Sequence, residues 1–405
     1  MISVKDARDI IISKIFPMDS ETIHVSKSLG RVLSKDVISK LNSPPQNISS
    51  MDGYAICTKS IKKVPTQLEV IGKVSAGHPK NIKIKGLECA RIFTGGIIPL
   101  GADSVVMQED VEVLANKLIK LNKLVDTNRF IRAKGMDFKK GDILLKKGSI
   151  MNVRDMGLAA SSNNSEINVY KKPRIAILST GDEIVKPGTK ILSGQIISSN
   201  NISLSGFIEA LGAEPIDLGI ASDNVENILN KASLESDFQV LVTTGGISVG
   251  EKDLVRESLL KAGLKIEFWK VAIRPGKPMM FGTIKSTAIL SLPGNPVSSI
   301  ICALIFLTPV IAKLLGRNEP LLPVKEAILK NEIPPNDSRQ YYIRGKLNYD
   351  KKGVLNVQSL KLQDSAKISQ LAASNCLIVR APFSKKSKIG EKIKVLLYPN
   401  SLVQI

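Results

Sequence analysis

Histidine, cysteine and aromatic residues are scarce in this chain of 405 residues. It has two histidines, four cysteines and 4% aromatic residues, and no two cysteines have Cys-x-x-Cys spacing. Neither a zinc site nor a dithiol redox motif is therefore predicted. A metal ion would have to be held mainly by oxygen ligands, which favours Mg²⁺. The few aromatic rings also leave little surface on which nucleic-acid bases stack, so a nucleic-acid partner is not expected.

Acidic residues are in deficit as well. The chain has 37 Asp and Glu against 57 Lys and Arg, which gives a net charge of +20. A surplus of this size favours anionic partners, which include nucleic acids, membranes and small phosphorylated ligands. The lysines are scattered along the chain rather than clustered, and this is typical of a solvated basic surface. The charge alone does not choose among these interpretations.

Neither a signal peptide nor a membrane anchor is predicted. The N-terminal MISVKDARDIIISKI is interrupted by charges and lacks a following cleavage site, which favours an amphipathic helix over residues 4–16. The apolar run 297–315 is long enough to span a bilayer, but it follows a Pro-Gly-Asn-Pro turn and contains Ser298, Ser299 and Pro309. We therefore predict a buried core helix, no membrane partner, and a cytoplasmic protein with reduced thiols.

The spacing of apolar residues changes twice along the chain. Short β-type runs bounded by Gly, Pro or Asn predict a small all-β module within residues 54–150. Strand and helix patterns then alternate over 173–316, which predicts a doubly wound α/β domain with a buried parallel sheet. Short β runs return in the last 85 residues and predict a small barrel or sandwich. In the α/β segment we expect strands at 174–179, 214–218, 238–243, 265–271 and 289–292, and helices at about 200–212, 224–235 and 253–262.

The motif TTGGISVG (243–250) lies between a buried strand and a helix of the predicted α/β domain. Glycines let backbone N–H groups approach an anion, and the helix dipole adds a favourable field. We interpret Gly245, Gly246, Ser248 and Gly250 as a phosphate-binding loop. Asp253, three residues further on, is placed to hold a metal ion that bridges phosphates. An ordinary strand-to-helix turn would also explain the glycines.

Polar side chains follow the first buried strand too. The sequence STGDE (179–183) places Asp182 and Glu183 at the carboxyl end of that strand. Adjacent acids are costly to bury there unless they meet a cation or a hydrogen-bond donor, although Asp182 could simply cap the turn. The following GQIISSN (194–200) leads into a helix and offers Ser199 and Asn200 as ligand contacts or as caps.

Two proline-stiffened turns, RPGKP (274–278) and LPGNP (292–296), follow separate strands. Proline and glycine preset such loops at little entropic cost. The cations Lys270, Arg274 and Lys277 are therefore interpreted as a pocket for an oxyanion. The second turn is polar and contributes Pro293, Asn295 and Pro296.

Two further loops carry acids outside the α/β domain. They are SMDGY (50–54), with Asp52, and RAKGMD (132–137), with Asp137. Each loop alone is typical of an ordinary Asp-Gly turn or a capped loop.

Together these motifs resemble the MoeA family of molybdopterin molybdenumtransferases and the homologous C-terminal domain of gephyrin, over essentially the whole chain. The matching segments are SMDGYA (50–55), IFTGGIIPLGADSVVMQE (92–109), RAKGMDFKKGDILLKKG (132–148), ILSTGDEIVKPG (177–188), GQIISSN (194–200), TTGGISVGEKD (243–253), RPGKP (274–278) and LPGNPVS (292–298). The resemblance implies a homodimer whose active cleft is shared between one subunit's α/β domain and its partner's β module.

The resemblance also implies a multidomain fold of class α/β plus β. We expect a doubly wound α/β molybdopterin-binding domain, β-rich N-terminal modules and a small C-terminal β-barrel. The expected domains are an N-terminal helix packing on the α/β domain (1–20), a linking β/α domain (21–47 and 141–172), a β-rich module (48–140), the α/β domain (173–320) and the barrel (321–405).

In this family, molybdate is inserted at the dithiolene of adenylylated molybdopterin, the pyrophosphate bond is cleaved and AMP leaves, with Mg²⁺ required. The resemblance implies catalytic roles for Asp52, Thr94, Asp137, Glu183, Asp223 and Asp253 in this chain. Among these, Glu183, Asp223 and Asp253 would hold Mg²⁺. Molybdate would bind near Arg274, Lys277, Ser298, Arg344 and Ser365. A molybdopterin adenylyltransferase would be the upstream partner.

The chain departs from the family pattern at three places. Gln46, Asn47 and Ile48 replace an aromatic residue, an acid and an amide. Arg274 stands where Lys is common, which keeps the charge and changes the geometry. Asp364-Ser365-Ala366 replaces a more glycine-rich stretch.

Four other functions remain open at this point. A damage-inducible nucleotide-processing family shares the α/β module, but it lacks the PGKP and SMDGYA motifs. A molybdopterin adenylyltransferase uses the same α/β module but is typically a lone domain, and the flanking β modules argue against it. A scaffold like gephyrin's homologous domain would not need all of the acids named above, so their presence favours catalysis. A nucleic-acid binder is indicated by the charge alone.

Overall fold

The computed structural model describes residues 1–232, 237–246, 254–317 and 322–398. The chain forms two compact units. The larger unit contains Met1–Lys35, Lys147–Val153 and Asn168–Ile405, and the smaller contains Asp36–Lys146 and Arg154–Ile167. The predicted domain boundary at 320–321 and the predicted helix ends at 235 and 253 lie outside the described residues.

Short strands dominate the first 170 residues, as the frequent Gly, Pro and Asn residues predict. The two helices are α1 (Val4–Ser13) and α2 (Val153–Ser161). The strands are β1 (Ser20–His24), β2 (Val37–Ile38), β3 (Ile48–Ser49), β4 (Gly53–Ile56), β5 (Thr66–Val74), β6 (Glu88–Ile92), β7 (Ser104–Met107), β8 (Val111–Val113), β9 (Leu118–Leu121), β10 (Ile131–Arg132), β11 (Ile143–Leu145) and β12 (Glu166–Tyr170).

The smaller unit is built on a six-stranded sheet of order β7-β4-β6-β5-β9-β8. Every residue of β4 is buried, because Tyr54 and Ile56 belong to one apolar cluster and Ala55 belongs to another on the opposite face. The predicted all-β module is confirmed over this region. The expectation missed α2, whose interior Gly157 lowers its helix propensity.

Strands and helices alternate through the middle of the chain, as predicted. The strands are β13 (Arg174–Thr180), β14 (Ile184–Val185), β15 (Ile196–Ile197), β16 (Glu214–Ala221), β17 (Val240–Thr244), β18 (Lys265–Trp269), β19 (Ile273–Arg274), β20 (Met280–Ile284) and β21 (Thr287–Leu292). The helices are α3 (Asn200–Ala210), α4 (Val225–Ala232), α5 (Leu254–Lys261) and α6 (Pro296–Leu314, with π-helical geometry over Ala303–Leu307).

Six of these strands form one sheet of order β16-β13-β17-β21-β20-β18. Both faces are covered: Ile175 and Ile177 of β13 pack in one apolar cluster with α1, α3 and α6, and Ala176 and Leu178 pack in another with α4 and α5. The doubly wound prediction is confirmed. The sheet also contains a strand that was not predicted, β20, which runs antiparallel to both β21 and β18. A two-residue turn joins β20 to β21, and so short a loop permits only an antiparallel hairpin.

Helix α6 accounts for the long apolar run in the sequence. Within the described ranges it is the one helix long and apolar enough to cross a bilayer, with a mean hydropathy of 2.2. However, 78% of that window is buried inside the protein. Its side chains pack in the same cluster as β13 and α3, so the structure bears out the predicted buried core helix.

The C-terminal region contains β22 (Val324–Leu329), β23 (Gln340–Tyr349), β24 (Leu355–Ser359), α7 (Ile368–Ala373), β25 (Cys376–Arg380) and β26 (Lys392–Leu397). Five strands in the order β23-β24-β22-β26-β25 close into a barrel because β25 also pairs with β23. Strand β19 adds to this barrel by parallel pairing with β23. The predicted C-terminal barrel is therefore confirmed, and the alternative of a sandwich is not.

Candidate active site

A polar cleft lies at the carboxyl ends of the neighbouring strands β13, β17 and β21. Its volume is about 570 Å³. Open α/β sheets bind ligands at this edge, because the loops after the parallel strands converge there. The structure brings together eight of the predicted site residues in the lining, namely Glu183, Ser199, Asn200, Gly245, Gly246, Pro293, Asn295 and Pro296. The short β14–β15 pair adds an apolar wall of Ile184, Ile196 and Ile197.

The glycines after β17 are required by close packing. Gly245 and Gly246 have φ values of +94° and +63°, which disfavour residues with a side chain. A Cβ atom on Gly245 would lie 2.3 Å from the carbonyl oxygen of Thr180, and one on Gly246 would lie 2.4 Å from a methyl carbon of Val255. The turn therefore packs closely against β13 and α5. Ser248, Gly250 and Asp253 of the same motif lie outside the described residues.

A Gly245→Ala substitution should destabilise the protein by about 1–3 kcal/mol or more, because it combines an unfavourable φ with a clash against backbone. Gly206→Ala is the matched control. Gly206 is an exposed residue of α3, and a methyl group added there would meet no atom within 4 Å, so its replacement should stabilise by about 0.5–1 kcal/mol. Urea unfolding of the two variants measures the difference. Equal stability of the two variants would contradict the packing argument.

Asn200 connects two turns of the cleft by hydrogen bonds. Its amide nitrogen donates to Thr244 Oγ1 at 2.7 Å and to the carbonyl oxygen of Gly294 at 2.8 Å. Its Oδ1 atom is buried with no hydrogen-bond partner among the described residues, and the same is true of Thr180 Oγ1. Unpaired buried polar atoms are uncommon in proteins, and both of these residues line the cleft.

Three acids follow β13 and β16, which are neighbours in the sheet. Asp182 Oδ1 accepts a hydrogen bond from the backbone N–H of Asp223 at 3.0 Å, which links the two loops. Glu183 folds back over Gly181, where a Cβ atom would lie 2.5 Å from Glu183 Oε2. Asp182 therefore connects the loop after β13 to the loop after β16. The carboxylates of Glu183 and Asp223 lie on loops that a hydrogen bond holds together.

The donor chemistry of these acids fits Mg²⁺, which proteins usually bind through one or two carboxylates together with substrate phosphates. Within residues that the structure describes, no group of three or more His, Cys, Asp or Glu side chains is close enough to hold a metal ion alone. Glu183 and Asp223 would therefore need a third ligand from Asp253 or from the substrate.

The predicted cations have different surroundings. Lys270 has a φ of +72°, and its Nζ atom lies 4.0 Å from the centre of the Trp269 ring. Arg274 is exposed and donates from Nη1 to the hydroxyl oxygen of Tyr341 at 2.8 Å. Lys277 is exposed, and Pro278, the next residue, lines the cleft. The RPGKP turn therefore borders the cleft, while its cations lie outside the lining itself.

Arg344 is buried and bonded to backbone oxygen atoms. Its side chain is only 1% exposed, and Nη2 donates to the carbonyl oxygens of Leu362 and Asp364, each at 3.0 Å. Burial lowers the pKa of this guanidinium. The segment that it holds continues to Ser365, whose Oγ accepts from Asn295 Nδ2 at 3.0 Å. Arg344 thus fixes the barrel segment that meets the LPGNP turn.

Ser298 and Ser365 lie where the barrel segment meets the LPGNP turn. Ser298 is buried in the first turn of α6, and the N–H of the preceding Val297 donates to the carbonyl oxygen of Ser365 at 3.1 Å. Ala366, the residue after Ser365, lines the cleft. The sequence segments that the resemblance associates with an oxyanion therefore converge at one rim.

In the smaller unit the structure joins Asp52 to Thr94. Asp52 Oδ1 accepts from both the backbone N–H and the hydroxyl of Thr94, each at 2.8 Å, and these bonds lower the pKa of the carboxyl. Arg91 packs against the rings of Tyr54 and Phe93 at 4.9 and 5.0 Å. Asp137 lies in another turn, where its N–H donates to the carbonyl oxygen of Ser43 at 2.9 Å.

Sequence reasoning missed several residues at these sites. Thr180 and Thr244 were within or beside the quoted motifs but were not assigned a role. Tyr341 and Arg91 were not considered, since an aromatic or a cation in a strand gives no sign of its partner across a sheet. Tyr341 is identified by the pairing of β19 with β23, in which Arg274 and Tyr341 lie opposite each other. This pairing is seen only in the folded structure.

Comparison with known proteins covers nearly the whole chain. The MoeA N-terminal region (domain I and II) matches residues 2–162, a probable molybdopterin binding domain matches 176–313, and the MoeA C-terminal region (domain IV) matches 326–398.

Similar proteins are known from several organisms. A molybdopterin molybdenumtransferase of Haemophilus influenzae is 35% identical over 98% of each chain, and one of Nostoc sp. is 34% identical over 86% of this chain and 83% of the relative. A crystal structure of the molybdopterin biosynthesis MoeA protein of Pyrococcus horikoshii matches with a TM-score of 0.88 and 28% identity, covering 99% of this chain and 100% of that one. The chain therefore belongs to the MoeA family of molybdopterin molybdenumtransferases, enzymes of molybdenum cofactor biosynthesis.

Proposed function

We propose that this enzyme inserts molybdenum from molybdate into adenylylated molybdopterin and releases AMP in an Mg²⁺-dependent step, which gives molybdenum cofactor. The observation that carries the proposal is the cleft at the ends of β13, β17 and β21. Its volume of about 570 Å³ is in the range of ligand sites, roughly 300–1,000 Å³. It combines an apolar wall, suited to a ring, with glycine turns suited to phosphates.

The floor of the cleft supports binding of a phosphorylated ligand. The turns that contain Gly245 and Gly294 approach each other, since a Cβ atom on Gly294 would lie 3.3 Å from the Cα of Gly245. Backbone at glycine turns comes close to an anion without steric hindrance. The hydroxyl of Thr180, which has no hydrogen-bond partner among the described residues, lies in the same lining and can donate a hydrogen bond to a phosphate. In the proposal these groups orient the pyrophosphate that joins AMP to molybdopterin.

Glu183, Asp223 and Asp253 would hold Mg²⁺ at this pyrophosphate. When bound, the ion would neutralise charge that develops on the phosphoryl oxygens as the bond to AMP breaks. The Asp182–Asp223 hydrogen bond serves this arrangement because it restrains the two loops that carry Glu183 and Asp223.

Arg274 and Lys277 would bind molybdate at the adjoining rim. Charge-assisted hydrogen bonds from such cations replace the hydration of an oxyanion. Ser298 and Ser365 lie near the same rim, while Arg344 contributes by fixing the segment 362–364 rather than through its engaged Nη2.

Lys277→Ala is expected to raise the molybdate concentration needed for half-maximal activity about ten-fold, since loss of one charge-assisted hydrogen bond costs about 1.5–3 kcal/mol. Activity at saturating molybdate should remain close to that of the parent. The measurement is AMP release against molybdate concentration.

Lys5→Ala serves as the control for Lys277→Ala. Lys5 is 84% exposed on α1 and pairs with Asp9 across one helical turn, so its removal changes the net charge equally and should leave the molybdate dependence unchanged. Identical molybdate curves for Lys277→Ala and the parent would rule out Lys277 as part of the oxyanion pocket.

The proposal extends to the cellular setting. The enzyme would act as a homodimer in the cytoplasm, and a molybdopterin adenylyltransferase would supply its adenylylated substrate. The homodimer would place the Asp52–Thr94 pair of one subunit at the cleft of the other.

A further inference from the structure

We propose that Tyr341 is a positioning residue that directs the guanidinium of Arg274 toward the oxyanion. The inference rests on the proposed function, because it takes Arg274 as part of the molybdate pocket. It adds a residue of the barrel to that pocket and explains why this chain has an arginine at position 274.

The strand pairing brings the two residues together. Strand β19 ends in Arg274 and runs parallel to β23, with Arg274 directly opposite Tyr341. Arg274 Nη1 donates to the Tyr341 hydroxyl at 2.8 Å, and its guanidinium carbon lies 5.0 Å from the centre of the ring. The tyrosine therefore contacts Arg274 both through its hydroxyl oxygen and through its π-system. The exposed guanidinium of Arg274 is therefore held by a hydrogen bond and by contact with the ring.

Tyr341 is itself held by a charged pair. Arg339 Nε donates to both carboxylate oxygens of Asp337, at 3.1 and 3.0 Å, and the Arg339 guanidinium carbon lies 5.8 Å from the Tyr341 ring centre. Hydrogen bonds from Arg339 keep the pKa of the Asp337 carboxyl well below its usual range. The Arg339 guanidinium therefore lies over the tyrosine ring, and the phenolic oxygen accepts from Arg274.

This geometry depends on a guanidinium. The group is planar with five N–H donors, so one can bond the tyrosine while others remain for an anion. A lysine ammonium is compact and has no plane to stack on a ring. Arg274 lies at the start of the RPGKP turn, whose Pro278 lines the cleft. Fixing the guanidinium at the base of this turn reduces the conformational entropy that an anion would otherwise have to overcome on binding.

A purely structural role is the alternative. The Arg274–Tyr341 contact would then serve only to join β19 to the barrel, and changes in it would lower stability without changing the molybdate dependence. The two interpretations differ in whether the apparent affinity for molybdate changes at constant turnover.

Tyr341→Phe is the decisive variant because it keeps the ring and removes only the hydroxyl. We expect the molybdate concentration for half-maximal activity to rise about five-fold, as for loss of one hydrogen bond that orders a ligand group. Maximal turnover and the KM for adenylylated molybdopterin should stay within about two-fold. Titration of the whole protein with molybdate alone should show the same loss of affinity. Tyr349→Phe, a change at a residue 64% exposed at the far end of β23, is the control.

Coupling to Arg274 completes the test. Arg274→Lys should weaken molybdate binding, and adding Tyr341→Phe to it should have little further effect, because the two residues act as a unit. The positioning role would be overturned by either of two results. One is a double variant whose increase in the molybdate concentration for half-maximal activity equals the product of the two single increases. The other is an unchanged molybdate dependence in Tyr341→Phe. Lys277→Ala separates this from failure of the proposed function. If Lys277→Ala raises the molybdate requirement and Tyr341→Phe does not, only the inference on Tyr341 fails, and if neither Lys277→Ala nor Arg274→Lys has an effect, the oxyanion pocket itself fails.

Discussion

Asp253→Asn should reduce AMP release by about two to three orders of magnitude while leaving the fold intact, because the proposed function makes this carboxylate a ligand of the catalytic cation and the variant has a neutral amide in its place. Asp253 follows the motif TTGGISVG and directly precedes α5, and it lies outside the described residues. In the proposed function, the described part of the chain would supply two carboxylates for Mg²⁺, Glu183 and Asp223, whose loops are linked through Asp182. A third acid, from Asp253, would complete the coordination together with the substrate phosphates.

The test of Asp253 is a titration of AMP release with Mg²⁺. Asp253→Asn should stay nearly inactive at every Mg²⁺ concentration, and Asp223→Asn should require more Mg²⁺ than the parent. Glu257→Gln is the control on α5, because Glu257 is 55% exposed and pairs with Lys261 at 2.8 Å, and it should behave like the parent. Near-normal turnover of Asp253→Asn at saturating Mg²⁺ would show that Asp253 is not a metal ligand.

Local patterns predicted much of the fold. The continuous apolar run at 174–179 and the following alternation of strands and helices predicted the sheet that carries the cleft, and each expected strand and helix has a counterpart. No strand was predicted between the RPGKP turn and residue 289, although β20 begins two residues after that turn, at Met280. Whether two apolar runs form a hairpin or a crossover depends on the length of the loop between them, which the apolar pattern does not show.

The glycine and proline turns of the cleft were predicted as well. They could be found because parallel strands end at one edge of the sheet, so motifs that follow successive strands meet there. The role of Asn200 as a bridge between turns could not be found, since its partners Thr244 and Gly294 are distant in sequence. A cap and a bridge require the same residue type, and only the folded backbone distinguishes them.

The arginines of the site also have contacts that the sequence does not predict. Arg344 and Arg274 have equal charge in the sequence, yet one is buried and donates to backbone carbonyl oxygens and the other is exposed on a tyrosine ring. Charge composition predicts an affinity for anions but does not say which guanidinium remains available to bind one. That depends on which carbonyls and rings the barrel brings to each strand.

Equal mixing of inactive Asp52→Ala protein with inactive Asp253→Ala protein should restore about a quarter of the parent activity, because random exchange in a two-fold dimer gives half mixed dimers with one intact site each. The motivation lies in two separate findings: Asp52 and Thr94 form a hydrogen-bonded pair in the smaller unit, and the cleft with its glycine turns belongs to the larger. The alternative is that Asp52 only secures a turn and that each cleft is complete within one subunit. Subunit exchange is verified with two differently tagged proteins before activity is measured, and the parent mixed with either variant is the control. Verified exchange without recovered activity would show that the acids of one subunit cannot complement those of the other, and the shared cleft would be wrong.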